Sequence, residues 1–495
     1  MMSLRVLAAA LAAPGAWTGA MVPATAQSPA PVAAPAIAIV GATVFDGTGR
    51  PPMPDATILV AAGRISTIGP RREIPVPRGA RVIDGRGKFV IPGLVNANAH
   101  LTPYNAFDGF SGPDSLLMLG ALAASAGLLE QGITTVRDTY GVLPALLEAR
   151  ERIAGGTAQG ATILAAGNII GWGGPWSYSF SGSTGAAPGT SFERALRDAL
   201  VQGMGENLVD LSPDSLRVLL ARYIERGVDF VKIGVTTHVA RPSFISFSPR
   251  ALEALVGTAH QHGRKVDAHA ESAEGLLMAA LAGTDVLQHP ETAGGARLPA
   301  ELLDTLQARG TICALMPELV TGAEWARFQQ HLELGGRMWP AEKPPEIMAA
   351  EAASLKRSGV DPRSRPPTVS VTRFQNQRVN AESLIRGGCV VAVGSDEVVA
   401  LPGAKRSRAF GERFLDGVEG LVELGMTPGD ALVSATRNGA AAAGQLDEIG
   451  TIAPGKRADL VILEADPLAD IGNIRRVATV IHAGRILAGR RTRTP

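Results

Sequence analysis

VIPGLVNANAH, residues 90–100, is an apolar run that turns polar at every second position before it ends on a histidine. Successive side chains of a strand point to opposite faces, so Asn96, Asn98 and His100 share one face and Val95, Ala97 and Ala99 the other. A strand of this kind is buried on both sides, and its polar groups gather toward one end. Seven comparable runs follow, at residues 133–139, 161–168, 228–235, 265–270, 284–289, 311–316 and 390–396. Helix-like amphipathic stretches at 115–130, 213–226 and 249–262 lie between them, the pattern of a parallel sheet with helical crossovers. Eight such units in about 350 residues predict a (β/α)8 TIM barrel. An open doubly wound sheet has fewer strands and carries a dinucleotide fingerprint, which follows none of these runs.

Outside the barrel, residues 37–45 and 56–68 are short β-branched runs punctuated by Gly47, Gly49, Pro51, Pro52 and Gly63. The segment 450–487 reads the same way, and Ala62-Gly63-Arg64-Ile65 has a near copy in Ala483-Gly484-Arg485-Ile486. Neither segment offers enough strands to stand alone, so a small composite β-sandwich domain formed from both chain ends is expected. The division is then 1–26 signal peptide, 27–36 linker, 37–93 and 449–495 the two parts of the β-domain, and 94–448 the barrel. The signal peptide rests on Arg5, the apolar residues 6–13 and the small-x-small site Ala24-Thr25-Ala26, and it predicts a periplasmic or secreted protein. No cysteine near that site offers a lipid anchor, and no later run is long and apolar enough to span a bilayer. With 47 basic and 46 acidic residues, the balanced charge argues against nucleic acid or an anionic membrane as partner. Cys313 and Cys389 both fall in apolar strand runs and read as buried thiols rather than as a disulfide or a metal pair.

Polar residues close several of these strands: His100 on the first, His269 on the fifth, His289 on the sixth, Asp396 on the eighth, with Lys232 inside the fourth. In a barrel they converge at one mouth. Three imidazoles and a carboxylate from four strands make a ligand set for a divalent ion such as zinc. The lysine does not fit, because a protonated amine cannot ligate and is costly to bury beside a cation. Each residue taken singly has a plainer reading. A histidine at a strand end is by default a hydrogen-bonded core residue, and Asp396 after Gly394-Ser395 has the place of a helix N-cap.

Taken in order, the set resembles the amidohydrolase superfamily, in its imidazolonepropionase and Xaa-Pro dipeptidase-like branch. The resemblance is carried by residues 90–94, Val228-Asp229-Phe230-Val231-Lys232, Asp267-Ala268-His269, Gln288-His289 and Gly394-Ser395-Asp396. It continues through Ala435-Thr436-Arg437-Asn438 and residues 450–460. It implies that Lys232 is carboxylated to an anionic carbamate bridging two metals, and that Asp396 is the general base and acid. The family's first strand normally ends His-x-His, whereas this one reads Asn98-Ala99-His100. The implied ligands are therefore Asn98, His100, Lys232, His269, His289 and Asp396, with one or two Zn2+ ions and a weak site beside Asn98, since an amide oxygen is a poorer zinc ligand than imidazole. The implied reaction is hydrolysis of an amide bond, in a dipeptide or an N-acyl amino acid. The same scaffold admits a cyclic amide or lactone hydrolase or a deaminase, and loss of the first histidine admits a binding protein without turnover. A small-molecule substrate and a homo-oligomer are expected.

Three further residues are candidates for substrate binding. His238 follows the lysine strand, where it either touches substrate or makes a loop hydrogen bond. Trp172 and Tyr178 lie in a long stretch after the third strand and either line the pocket or pack a lid. Arg137 and Asp138 end the second strand and are expected to pair with each other beneath the site. His260 and His262 read as surface residues, and His482 as structural.

Overall fold

The computed structural model describes residues 36–102, 114–171, 206–237, 243–339, 369–399 and 408–487. The expected signal peptide and nearly all of the linker lie outside them. The chain enters through five short strands: β1 (Ile37–Val44), β2 (Met53–Ala61), β3 (Arg64–Pro70), β4 (Arg81–Asp84) and β5 (Phe89–Pro92). β2 and β3 form a hairpin whose turn residues, Ala62 and Gly63, take φ of 49° and 78°. Both central residues of such a tight turn need the left-handed region, which glycine enters freely and alanine only at a cost of about 1–2 kcal/mol.

The barrel strands follow: β6 (Leu94–His100), β7 (Ile133–Asp138), β8 (Thr162–Ala165), β9 (Ile169–Ile170), β10 (Val231–Gly234), β11 (Val266–His269), β12 (Val286–Gln288) and β13 (Ile312–Leu315). After a two-residue ribbon, β14 (Met338–Trp339) against β15 (Val369–Ser370), come β16 (Val390–Val393) and β17 (Glu397–Val398). Every expected barrel run therefore contains a strand. All the barrel pairings are parallel. The ladders do not form one closed ring. They make two arcs, β17-β6-β7-β8 and β16-β13-β12-β11-β10-β9. The third position is shared by β8, which pairs β7, and β9, which pairs β10; the eighth is shared in the same way by β16 and β17. The architecture is that of a TIM-barrel-like α/β fold, with strand pairing interrupted at two positions.

The helices owe their starts to a repeated device. Ser212 precedes Pro213 and accepts the Ser215 N–H at 3.2 Å, and Ser248 precedes Pro249 and accepts the Ala251 N–H at 3.3 Å. A hydroxyl cap followed by proline satisfies one orphan donor and removes another. The helices Pro213–Ile224 and Pro249–Gln261 begin there, each as the sequence implied. Buried faces such as Leu252, Leu255 and Ala259 pack into one large core shared with the strands.

At its end the chain returns through β18 (Leu460–Leu463), β19 (Val477–His482) and β20 (Arg485–Leu487). β18 lies antiparallel to β5, with Leu460 opposite Pro92 and Val461 opposite Ile91. Strands from both ends of the chain thus share one sheet, ordered β20-β19-β18-β5-β1-β2-β3 with β4 on β1. The sheet forks at β1, which pairs β2 on one side and, on the other, β4 beside residues 37–40 and β5 beside residues 43–44. The repeated Ala-Gly pairs are its two hairpin turns: Ala483 and Gly484 have φ of 47° and 73°. The turns touch, since a Cβ on Gly484 would lie 2.4 Å from the Gly63 Cα.

The cysteines correct the sequence reading. Cys313 lies on β13 and Cys389 directly before its neighbour β16, with Cα atoms 6.1 Å apart, and they form a disulfide. Trp325 and Trp339, between β13 and β15, pack with Phe328 and Phe374 at ring-centroid distances of 4.6 to 6.0 Å.

Candidate active site

His100 and Asp396 meet at the junction of the first and eighth strand positions. The approach is close because residue 394 is glycine: a Cβ there would stand 2.7 Å from the Asn98 Cβ. The Ser395 and Asp396 N–H groups both donate to the Asn98 carbonyl at 2.9 Å. Asp396 takes φ 46°, and His289, at the end of β12, takes φ 39°. For residues other than glycine that conformation costs on the order of 1–3 kcal/mol and is retained where the surroundings impose it, often at functional sites. Among the described residues, two of the five non-glycine positions with this conformation carry residues that the sequence singles out for chemistry.

His100 Nε2 lies 3.0 Å from Asp396 Oδ1, and its Nδ1 lies 3.0 Å from the Tyr140 carbonyl oxygen. Burial disfavours the imidazolium, but the Asp396 carboxylate and the nearby Asp138 outweigh it, and the net effect raises the pKa of His100. Burial likewise resists ionisation of Asp396, and the hydrogen bond from His100 with the charges of His100, His289 and Lys232 hold it well below the usual carboxylate range. Its side chain is 34% exposed, open to the mouth. His269 Nδ1 lies 3.1 Å from His289 Nε2, the two rings meeting edge to face. Lys232 is buried on β10; desolvation lowers its pKa to about 8, Arg137 adding to the fall and Asp267 and Asp396 opposing it.

Asp396 thus feels His100, His289 and Lys232 together, and His269 joins them through its contact with His289. Among the described residues no three His, Cys, Asp or Glu side chains are grouped as a ready metal set. The donor chemistry nonetheless fits a divalent cation. A neutral imidazole nitrogen facing a carboxylate, or two facing each other, needs a proton or a cation between them, and the site has one contact of each kind.

Asn98 is fully buried. Its Oδ1 accepts from the Thr139 hydroxyl at 2.5 Å, while its Nδ2 has no hydrogen-bond partner among the described residues. Arg137 does not pair with Asp138. It makes a two-pronged contact with Asp267 at 2.7 and 3.0 Å, lies over the Phe230 ring, and is fully buried. Asp138 instead accepts the Leu101 N–H at 2.6 Å, and burial raises its pKa to about 6 against the pull of His100. Trp172, Tyr178 and His238 lie outside the described residues.

Three glutamates escaped the sequence reading. Glu271 sits 3.5 Å from His269 Nε2 and 3.6 Å from the Arg373 guanidinium. Glu291 accepts the Met316 N–H at 2.8 Å, and Glu318 meets Arg413 at 3.2 Å. Burial raises these last two to about 7 and about 8. Each lies two residues past a site histidine or three past the end of a strand, on the loops where barrel enzymes place their chemistry.

The sequence profile of the amidohydrolase family matches residues 89–487. The chain belongs to this family. It is accordingly an enzyme of the hydrolase class, acting on amide carbon–nitrogen bonds, in a family that is generally metal-dependent. This amidohydrolase is 27% identical over 454 residues to imidazolonepropionase from Symbiobacterium thermophilum, covering 88% of this chain and 90% of the relative. Among solved structures it resembles molinate hydrolase, with 30% identity, a TM-score of 0.75 and coverage of 92% of this chain and 95% of that one. It resembles phenylurea hydrolase B similarly, with 31% identity, a TM-score of 0.74 and coverage of 91% and 96%.

Proposed function

We propose that the chain is an exported, metal-dependent amidohydrolase that cleaves the amide bond of a dipeptide or an N-acyl amino acid. The observation that carries the reading is the pairing of His100 with a strained, deprotonated Asp396 beside the His269–His289 contact, at the C-terminal ends of parallel strands. His100, His269, His289 and Asp396 would hold the ion, with Lys232 joining them as its carboxylated form, which the family resemblance implies. Such an ion supplies Lewis acidity, lowering the pKa of water and polarising a carbonyl oxygen.

The remaining work falls to the protein. Asp396, ionised throughout the physiological range and one-third open to the mouth, accepts a proton on its carboxylate and returns it to the leaving nitrogen. The Tyr140 carbonyl accepts from His100 Nδ1–H, which turns Nε2 toward Asp396 and the place the ion would take. Asn98, with its oxygen engaged by Thr139, contributes at most a weak ligand, so one ion is held more tightly than the other.

The Cys313–Cys389 disulfide supports export, because such bonds persist in oxidising compartments. A homo-oligomer acting on a small molecule completes the proposal. The likeness to phenylurea hydrolase B, at 31% identity, favours a second reading in which the substrate is an N-aryl urea.

The test is metal analysis of the purified protein, with turnover of dipeptides, N-acyl amino acids and N-aryl amides and ureas by wild type, Asp396→Asn and Lys232→Ala. One to two ions per chain, lower occupancy in Lys232→Ala, and a rate reduced at least a hundredfold in Asp396→Asn are expected. Turnover of only the N-aryl ureas would select the second reading. A wild type that takes up no zinc in the presence of bicarbonate would refute both.

A further inference from the structure

A cavity of about 540 Å³ opens at the opposite end of the strands from the active site. Its walls come from the end of the helix Leu143–Ala154, the loop 155–161, the first two residues of β8, Arg457 before β18, and β19 and β20 with the turn between them. The lining includes Arg150, Arg457 and Arg485 with His482 and Thr162, and among the described residues it contains no aspartate or glutamate.

Two of the arginines are neutralised from behind: Arg150 by Asp229 at 2.7 Å and Arg457 by Asp459 at 2.6 Å. The Arg485 guanidinium has no hydrogen bond or ion pair among the described residues. His482 Nε2 meets the Thr162 hydroxyl at 3.0 Å, and Nδ1 has no partner among the described residues. Burial and the charges of Arg457 and Arg485 lower the pKa of this imidazole, so it stays neutral. In the tautomer whose Nε2 accepts from the Thr162 hydroxyl, the proton sits on Nδ1 and offers a further donor.

We propose that this cavity is a binding site for a small organic carboxylate, held by Arg485 with His482. The uncompensated guanidinium selects the charge, since its two parallel N–H groups match a carboxylate. The size selects the rest. The cavity falls within the range of ordinary ligand pockets and greatly exceeds a bare oxyanion, and Ile153, Ile163, Ile486 and Leu487 offer walls for an apolar body. The site does not depend on the reaction proposed above, because it sits where β8 begins, whereas His100 and His269 sit where their strands end.

Benzoate is the probe, titrated calorimetrically into the full chain, with benzamide as the neutral counterpart and inorganic phosphate as the anion without an apolar body. A saturable benzoate site is expected that weakens roughly tenfold or more in Arg485→Ala, the usual scale for one charged hydrogen bond. It should persist in Asp396→Asn and bind benzamide and phosphate at least tenfold more weakly than benzoate. Arg485 is exposed, so the variant should keep the wild-type melting temperature; Thr162→Val, which releases the tautomer of His482, is the second variant and should also weaken benzoate. No saturable binding, equal affinity in Arg485→Ala, or loss in Asp396→Asn would overturn the assignment. So would equal binding of benzamide, which would make the pocket merely apolar, or of phosphate, which would make it a general anion site.

Discussion

The Cys313–Cys389 bond can be tested by removing it. It spans 76 residues of sequence. In the loop-entropy description, a cross-link over that distance destabilises the unfolded chain by about 4.5 kcal/mol. Unfolding entropy near the transition runs at about 2 cal/mol/K per residue, hence about 1 kcal/mol/K for a chain of 495 residues unfolding as one unit. The double variant Cys313→Ala/Cys389→Ala should therefore melt about 4–5 °C below the oxidised wild type, plus a small loss from the buried sulfur. Scanning calorimetry with and without reductant is the assay, and reduction should bring the wild type close to the variant. Two titratable thiols per denatured, unreduced chain, with no effect of reductant on melting, would refute the bond and remove its support for export.

Replacing Glu318 by glutamine tests burial of an acid. Its folded pKa of about 8 stands above the ordinary value of 4.5, so its contribution is fully present below 4.5 and is lost as pH rises toward 8, at about 1.4 kcal/mol per pH unit. Glu318→Gln should flatten the decline of melting temperature between pH 5 and 8 and be the more stable protein at pH 8; an unchanged slope would count against the burial argument. Arg137→Met leaves Asp267 charged in the core and should cost about 3–5 kcal/mol, whereas Arg137→Met/Asp267→Leu should cost less; thermal melts of both decide. Asn98→His should raise the zinc content per chain toward two, measured by elemental analysis, and unchanged stoichiometry would remove Asn98 from the ligand set.

The eight barrel strands were legible because each is a short apolar run, and the strand ends were legible because polar residues collect there. Which strands become neighbours was harder to read. Cys313 and Cys389 are joined only because β13 and β16 pair, and Arg137 finds Asp267 across the barrel instead of the adjacent Asp138 because successive side chains on a strand face opposite ways. Glu271, Glu291 and Glu318 escaped notice because a glutamate beyond a strand end reads as a solvated loop residue until burial shows otherwise. The Ala-Gly-Arg-Ile repeat was visible as a repeat, but its meaning, two left-handed turns in backbone contact, needed the third dimension.

The sheet that joins the two chain ends also bears on the order of assembly. β5 lies between β1 and β18, so one of its edges stays open until residues 460–463 have been made. Pairings so distant in sequence are slow to form, and an uncovered strand edge invites aggregation while it waits. The barrel's first strand follows β5 after a single residue, so the register of the whole barrel is anchored to a sheet completed last. A chain stopped before residue 460 would leave the ribosome with β5 unpaired on one side, making the segment from residue 460 onward a checkpoint for folding rather than an appendage.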